Sequence, residues 1–195
     1  MLLDDRRYMS LFSLRPTYTF PFQRKHVGQF SAGFARRDMF KYLKYPDPDE
    51  NRDSNIYNLL FAYYYPFREE KGLFWSRYEY QVNDSKGRNW ISHSHRVTSG
   101  LIYPVTDRFG LSVTGEFTQE KFRRIHSLSG RNINGFPSEP ERREDLVYGL
   151  SFGAFLEISK SLKLNLSYAR FRADSNFILY DYRRNLFTAD LLYSF

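Results

Sequence analysis

The sequence contains no cysteine and no run of apolar residues long enough to form a transmembrane helix. Without cysteine, the chain forms neither disulfide bonds nor thiolate metal sites, which fits a compartment where free thiols oxidise. A transmembrane helix requires about 18 consecutive apolar residues. Helical periodicity is equally scarce, since no window combines an i, i+3, i+4, i+7 apolar stripe with a helix cap. These absences exclude a disulfide scaffold and a helical membrane protein.

Aromatic residues are abundant instead, with 19 Phe, 16 Tyr and 2 Trp making up 19% of the 195 residues. Lys and Arg number 29 against 22 Asp and Glu, a formal net charge of +7. The length suffices for one domain, and we assign residues 1–195 to a single domain. The mean hydropathy is negative. That value does not exclude a membrane β-barrel, because only alternate residues of such a barrel face lipid.

Apolar residues recur at every second position along most of the chain, which predicts β-strands with one apolar and one polar face. The most regular window is 146–158, where the apolar residues are Leu146, Tyr148, Leu150, Phe152, Ala154, Leu156 and Ile158. Similar windows predict nine strands, at 12–20, 27–42, 55–67, 73–83, 90–105, 109–119, 146–158, 162–168 and 187–195.

The links between these windows are alternately short and long, and the longest spans residues 121–143. This alternation, with an all-β antiparallel up-and-down pattern, predicts a transmembrane β-barrel whose short turns are periplasmic. Single-chain bacterial barrels have an even number of strands. Nine strands and the lack of a signal sequence at the start therefore predict a barrel incomplete at its N-terminus, the C-terminal part of a larger one.

The last strand alternates to its end, with Leu191, Tyr193 and Phe195 on the apolar face. It resembles the closing strand of Gram-negative outer-membrane β-barrels. That resemblance implies location in the cell outer membrane, surrounding outer-membrane lipid, and recognition of these three residues by the barrel-assembly machinery.

A second resemblance rests on the segment that precedes this strand. The matching positions are Ser175, Asn176, Tyr180, Asp181, Tyr182, Arg184 and Asn185. Together with the aromatic end, this segment resembles the barrel of tetratricopeptide-repeat outer-membrane proteins such as the surface lipoprotein assembly modifier family. A repeat of about 34 residues is absent from this chain. The resemblance implies a secretion-related role for the barrel alone.

Charged residues recur on the polar faces of the predicted strands. The predicted lumen-lining set is Arg15, Arg37, Arg77, Glu79, Arg96, Glu116, Asp145, Glu157 and Asp190. Ion pairs among these residues would fill a narrow barrel, which is the simpler interpretation because small barrels have interiors just wide enough for side chains. The alternative is the lining of a polar pore.

A second basic set lies on the apolar face, beyond the aromatic residues and towards the long loops. Its members are Arg36, Lys121, Arg123, Arg170 and Arg172. Guanidinium groups pair well with phosphate. We therefore predict that these residues bind lipopolysaccharide phosphates, the alternative being ordinary solvated charges.

Histidine beside serine, at 93–96 and 126–129, raises the alternative of a lipid-A-directed acyl hydrolase on the barrel wall. A catalytic triad needs three roles in space, and neighbours on a strand point to opposite faces. His93 and His95 share a face, but no third metal ligand is evident. Aromatic and basic residues occupy opposite faces, which argues against nucleic acid. We predict a non-catalytic barrel with a structural, transport or secretion-related role, without cofactor or metal.

Overall fold

A computed structural model of the chain describes residues 2–3, 6–7, 9–23, 25–39 and 47–193. It is all-β, with a two-stranded hairpin and one ten-stranded antiparallel sheet. The strands are β1 Leu2–Leu3, β2 Arg6–Arg7, β3 Met9–Leu14, β4 Thr17–Gln23, β5 His26–Met39, β6 Ser54–Phe67, β7 Gly72–Ser85, β8 Ser92–Pro104, β9 Phe109–Ile125, β10 Arg142–Ser159, β11 Leu162–Ser175 and β12 Tyr182–Tyr193.

Strands β3 and β4 follow each other along the same edge of the sheet and occupy the place of one long strand, which is interrupted at Arg15 and Pro16. We count such a full-length passage from one end of the sheet to the other as one crossing. Both pair with β5, one with each half of it. Proline has no N–H to donate to a ladder, which accounts for the interruption. The ten strands therefore make nine crossings, the number that the apolar periodicity predicts.

From β5 to β12 each strand pairs with its neighbour in sequence, which is the up-and-down order. Within the described residues, no ladder joins β3 or β4 to β12, so the sheet is open along these two edges. The prediction that further strands complete an even-numbered barrel stays a prediction. No helix in the described ranges is long and apolar enough to span a membrane.

The sheet has two chemically different faces, as the alternation predicts. On β6, Tyr57, Leu59 and Phe61 are each close to half exposed, whereas Leu60 and Ala62 are buried. We call the face of Tyr57 the outer face and the face of Leu60 the inner face. The strand register places the alternating apolar residues that predict each strand on the outer face, while some other apolar residues, such as Leu60 and Ala62, lie on the inner face. An exposed apolar face of this extent has to be covered by lipid or protein.

The connections also alternate, and the strands reach further than the periodicity indicates. At one end the links are 68–71, 105–108 and 160–161, and at the other 86–91, 126–141 and 176–181. The predicted link 121–143 is too long, because β9 continues to Ile125 and β10 begins at Arg142. Beyond the apolar belt both faces meet polar surroundings or loops, so paired strands continue there without an alternating sequence.

Candidate functional site

A row of alternating charges crosses the inner face at mid-height. Arg15 Nη2 lies 3.5 Å from Glu79 Oε1, and Arg96 lies 3.9 Å from both Glu79 and Glu116. Asn58 also donates to Glu79, over 3.0 Å. The arginine side chains are about half exposed, at 46% and 49%, whereas Glu79 is 13% exposed. The row is thus an ion-paired lining whose cations remain open to solvent.

The other predicted lumen residues have inner-face register but do not join this row. Arg37 donates to the backbone oxygen of Arg52 (3.1 Å), and Glu157 pairs with Lys163 (2.5 Å). Arg77 and Asp190 are exposed. Asp145 is buried near the long loops, where it binds Arg143. The structure therefore brings together Arg15, Glu79, Arg96 and Glu116 out of the predicted nine.

Two large inner-face side chains lie over glycines of a neighbouring strand. A Cβ atom at Gly100 would be 2.6 Å from the indole of Trp75, and one at Gly110 would be 2.0 Å from Phe155 Cζ. A residue with a side chain at either position would push the aromatic ring away from the sheet. Glycine at these sites therefore lets both rings lie flat, which favours an open polar lining over a filled interior.

The long loops fold onto the inner face and form a buried polar group of residues that we call the loop cluster. Its centre is Glu50, which accepts hydrogen bonds from Asn89 Nδ2 (2.7 Å) and Trp90 Nε1 (3.0 Å). Asn89 also contacts Ser127, whose hydroxyl donates to Asp47 over 3.3 Å. Three loops that are distant in sequence are thereby joined at the long-loop end of the sheet.

His126 lies within the loop cluster and is only 2% exposed. Its Nε2 is 3.3 Å from Tyr180 Oη and 3.9 Å from Glu50 Oε1. Burial lowers the pKa of His126, and the Glu50 carboxylate opposes that shift. Burial also raises the pKa of Tyr180. Both groups are therefore neutral at neutral pH.

Arg143 anchors the loop cluster to the sheet, a role that the apolar alternation of the sequence does not reveal. Its guanidinium binds both carboxylate oxygens of Asp145 and lies 3.4 Å from the ring centre of Tyr180 and 4.3 Å from that of Phe122. Stacking of a guanidinium on aromatic rings is favourable, more so when water is excluded. The signal in the sequence is its i, i+2 spacing from Asp145, which puts both on the inner face.

The predicted lipopolysaccharide residues lie on the outer face, but on separate strands. Three of them are paired within the chain: Arg36 with Asp38 (3.1 Å), Lys121 with Glu144 (3.2 Å) and Arg172 with Asp174 (2.7 Å). Arg123 and Arg170 are exposed and form no ion pair with any described residue. Arg183, opposite Arg172 in the register, is a further outer-face arginine. Arg183 lies four residues before Phe187 on the same strand, and this even spacing predicts that both lie on the outer face.

The histidine and serine residues of the hydrolase alternative are not paired with one another. His93 and His95 lie on the outer face, with His95 Nδ1 2.8 Å from Tyr78 Oη, whereas Ser92 is on the inner face and donates to Glu120. In the loop cluster, Ser129 donates to the backbone oxygen of His126. The described residues include no group of three or more side chains arranged to hold a metal ion.

At the end of the chain, Leu191 and Tyr193 are exposed on the outer face, at 64% and 68%. Their recognition by the barrel-assembly machinery stays a prediction. Phe195 lies outside the described residues.

An up-and-down antiparallel sheet with an apolar outer face and a charged inner face is the fold of a transmembrane β-barrel wall. Two solved structures share this fold. One is OmpT, an outer membrane protein of Vibrio cholerae, solved with loop L8 deleted: TM-score 0.56, 11% identity, 95% of this chain and 54% of that chain. The other is an outer membrane channel of Pseudomonas putida F1: TM-score 0.57, 11% identity, 93% of this chain and 69% of that chain.

The chain thus spans about half the length of the Vibrio protein. No protein-family model matches the sequence, and no curated protein matches it. The resemblance to the surface lipoprotein assembly modifier family is not supported by these comparisons and stays a prediction.

Proposed function

We propose that this chain forms the wall of a water-filled conduit in the Gram-negative outer membrane, with a transport role and no catalytic chemistry. The charged row on the inner face is the observation that carries the proposal. Arg15 and Arg96 are half exposed although both are ion-paired. Charges on a lipid-facing surface are strongly unfavourable, so this face belongs in water while the apolar face contacts lipid.

The large side chains of Trp75 and Phe155 also project little from the inner face, because each ring lies over a glycine. A lining with flat aromatic rings and paired charges leaves room for water and small polar solutes. The loop cluster would then constrict one mouth of the conduit. The similar Pseudomonas protein is an outer membrane channel, which agrees with this role.

The alternative of a lipid-A-directed hydrolase has less support, because no serine hydroxyl contacts a histidine ring within residues 47–193. We expect that replacing His93, His95 and His126 by alanine leaves lipid A acylation unchanged in cells. A changed acylation pattern would favour the hydrolase. On the conduit proposal, the surrounding partners are outer-membrane lipid, including lipopolysaccharide, and the barrel-assembly machinery during insertion.

Conductance of the purified protein in planar bilayers tests the conduit. We expect single-channel steps, and we expect the double substitution Glu79→Gln and Glu116→Gln to shift the reversal potential towards anion selectivity. The reason is that Arg15 and Arg96 would then remain without their carboxylates. The control is Asp38→Asn, which removes an outer-face carboxylate.

A second variant, Gly110→Leu, should lower the conductance, because its side chain would displace Phe155 from the wall. Unchanged selectivity in the double variant, or no conductance above that of protein-free bilayers, would contradict the proposal.

A further inference from the structure

The outer face of β10, β11 and β12 carries a groove that runs from a basic end into an apolar one. Its upper part, a cavity of about 400 Å³, is lined by Tyr148, Leu150, Phe152, Tyr168, Arg170 and Arg172. A lower cavity of about 580 Å³ shares Phe152 and Tyr168 and continues past Leu166 to Ala189. The two cavities adjoin at these two rings, and we call them together the groove.

The depth of the groove has a simple cause in the sequence. Ala154 and Ala189 are small residues on the outer face, and both are aligned with Leu166 by the register. Larger rings stand above them, since Tyr168 and Phe187 pack with their ring centres 4.7 Å apart. The two alanines leave open space on either side of Leu166, below the paired rings, and the lower cavity lies there.

The basic end carries more positive charge than the chain itself neutralises. Arg172 lies directly opposite Arg183, and Arg170 is one outer-face position away on the same strand. Only Arg172 has a carboxylate partner, Asp174, at 2.7 Å. Within the described residues, Arg170 and Arg183 form no ion pair. This end of the groove therefore carries three guanidinium groups and only one carboxylate that is paired with them.

Like charges directly opposite each other on adjacent strands are destabilising. The carboxylate of Asp181, two residues before Arg183 in the chain, accepts the backbone N–H of Ser175 over 2.6 Å. A bound anion between Arg170, Arg172 and Arg183 would relieve this repulsion. Guanidinium groups bind phosphate oxygens through parallel hydrogen bonds, so phosphate fits the site best.

We propose that this groove is a binding site for a phosphate-bearing lipid, with the phosphate held by Arg170 and Arg183 and an acyl chain in the apolar part. The proposal rests on the membrane location put forward above but is independent of the conduit. It also narrows the predicted set of five basic residues. Arg36 and Lys121 are already neutralised by Asp38 and Glu144, and the cavity beside Arg36 is lined by polar residues such as Asp38 and Asp84 instead of apolar ones.

The test is a binding titration of the detergent-purified protein, followed by native mass spectrometry. The probes are dioleoyl phosphatidic acid, dioleoylglycerol as the same lipid without phosphate, and inorganic phosphate as the head group without chains. We expect the phosphatidic acid to bind most tightly. The double substitution Arg170→Gln and Arg183→Gln should weaken its binding about tenfold or more, because hydrogen bonds to charged groups are lost.

A second variant tests the apolar part without altering charge. Ala154→Phe fills the lower cavity from an outer-face position with a residue type that is favourable in strands, and it should also weaken phosphatidic acid binding. The control, Arg36→Gln, should bind like the wild type. Equal binding of the two lipids, or unchanged binding in the double variant, would overturn the proposal. Conductance measured on the same variants separates this outcome from a failure of the conduit, since a lipid site on the outer face leaves the inner lining intact.

Discussion

Removing Arg143 should open the loop cluster. The side chains of Arg143 and Asp145 are only 9% and 12% exposed, and the guanidinium binds both carboxylate oxygens. Arg143→Ala leaves the Asp145 carboxylate buried without its partner, which typically costs about 3–5 kcal/mol. It also removes the stacking on Tyr180. We therefore expect a loss of about 3–5 kcal/mol in the stability of the long loops.

The fluorescence of Trp90 during urea titration measures this loss, in a Trp75→Phe background so that one indole reports. Trp90 is a suitable probe because it donates to Glu50 within the loop cluster. The matched control is Arg36→Ala, which removes an i, i+2 ion pair that is 61% and 43% exposed. Such exposed pairs contribute about 1 kcal/mol or less.

The double substitution Arg143→Met and Asp145→Leu should restore most of the lost stability, because it removes both buried charges and keeps apolar volume. If Arg143→Ala costs no more than Arg36→Ala, the assignment of Arg143 as the anchor of the loops is wrong.

Two further predictions concern the loop cluster and a short turn. Burial depresses the pKa of His126, so the folded loops favour its neutral form. The stability of the loops should therefore fall as the pH drops below about 6.5, where the histidine of the unfolded chain becomes protonated. His126→Gln should abolish this pH dependence in the same fluorescence assay. The turn after β6 holds Arg68, Glu69 and Glu70 at positive φ, which is strained backbone for residues other than glycine. Glu70→Gly should therefore raise the free energy of unfolding of the sheet by about 1 kcal/mol in urea. An unchanged unfolding midpoint would show that the turn is not strained.

The sequence suffices to predict the number of crossings, their two faces and the alternation of short and long links. Each of these follows from period two, which a lipid-facing sheet imposes on residues such as Tyr57, Leu59 and Phe61. The strand ends could not be predicted in the same way. Residues 120–125 and 142–145 lie beyond the apolar belt, where polar side chains occur on both faces.

The candidate site likewise has one part that the sequence predicts and one part that it does not. Inner-face parity identified Glu79 and Arg96, which the structure pairs. The same parity says nothing about contacts between loops, so the hydrogen bonds from Asn89 to Glu50 and Ser127 could not be foreseen. Arg183 precedes the apolar part of its strand, so the apolar alternation does not include it, although its even spacing from Phe187 places it on the outer face.

The most direct test of the central assignment, water at the inner face and lipid at the outer face, is single-cysteine labelling along β9 in liposomes. The natural chain has no cysteine, so each introduced thiol reports alone. Ser112, Thr114 and Glu116 have inner-face register and are not buried, whereas Leu111, Val113 and Phe117 have outer-face register. We predict that a water-soluble thiol reagent modifies cysteines at the first three positions and spares the second three. Equal labelling of both sets, or the reverse pattern, would contradict the account.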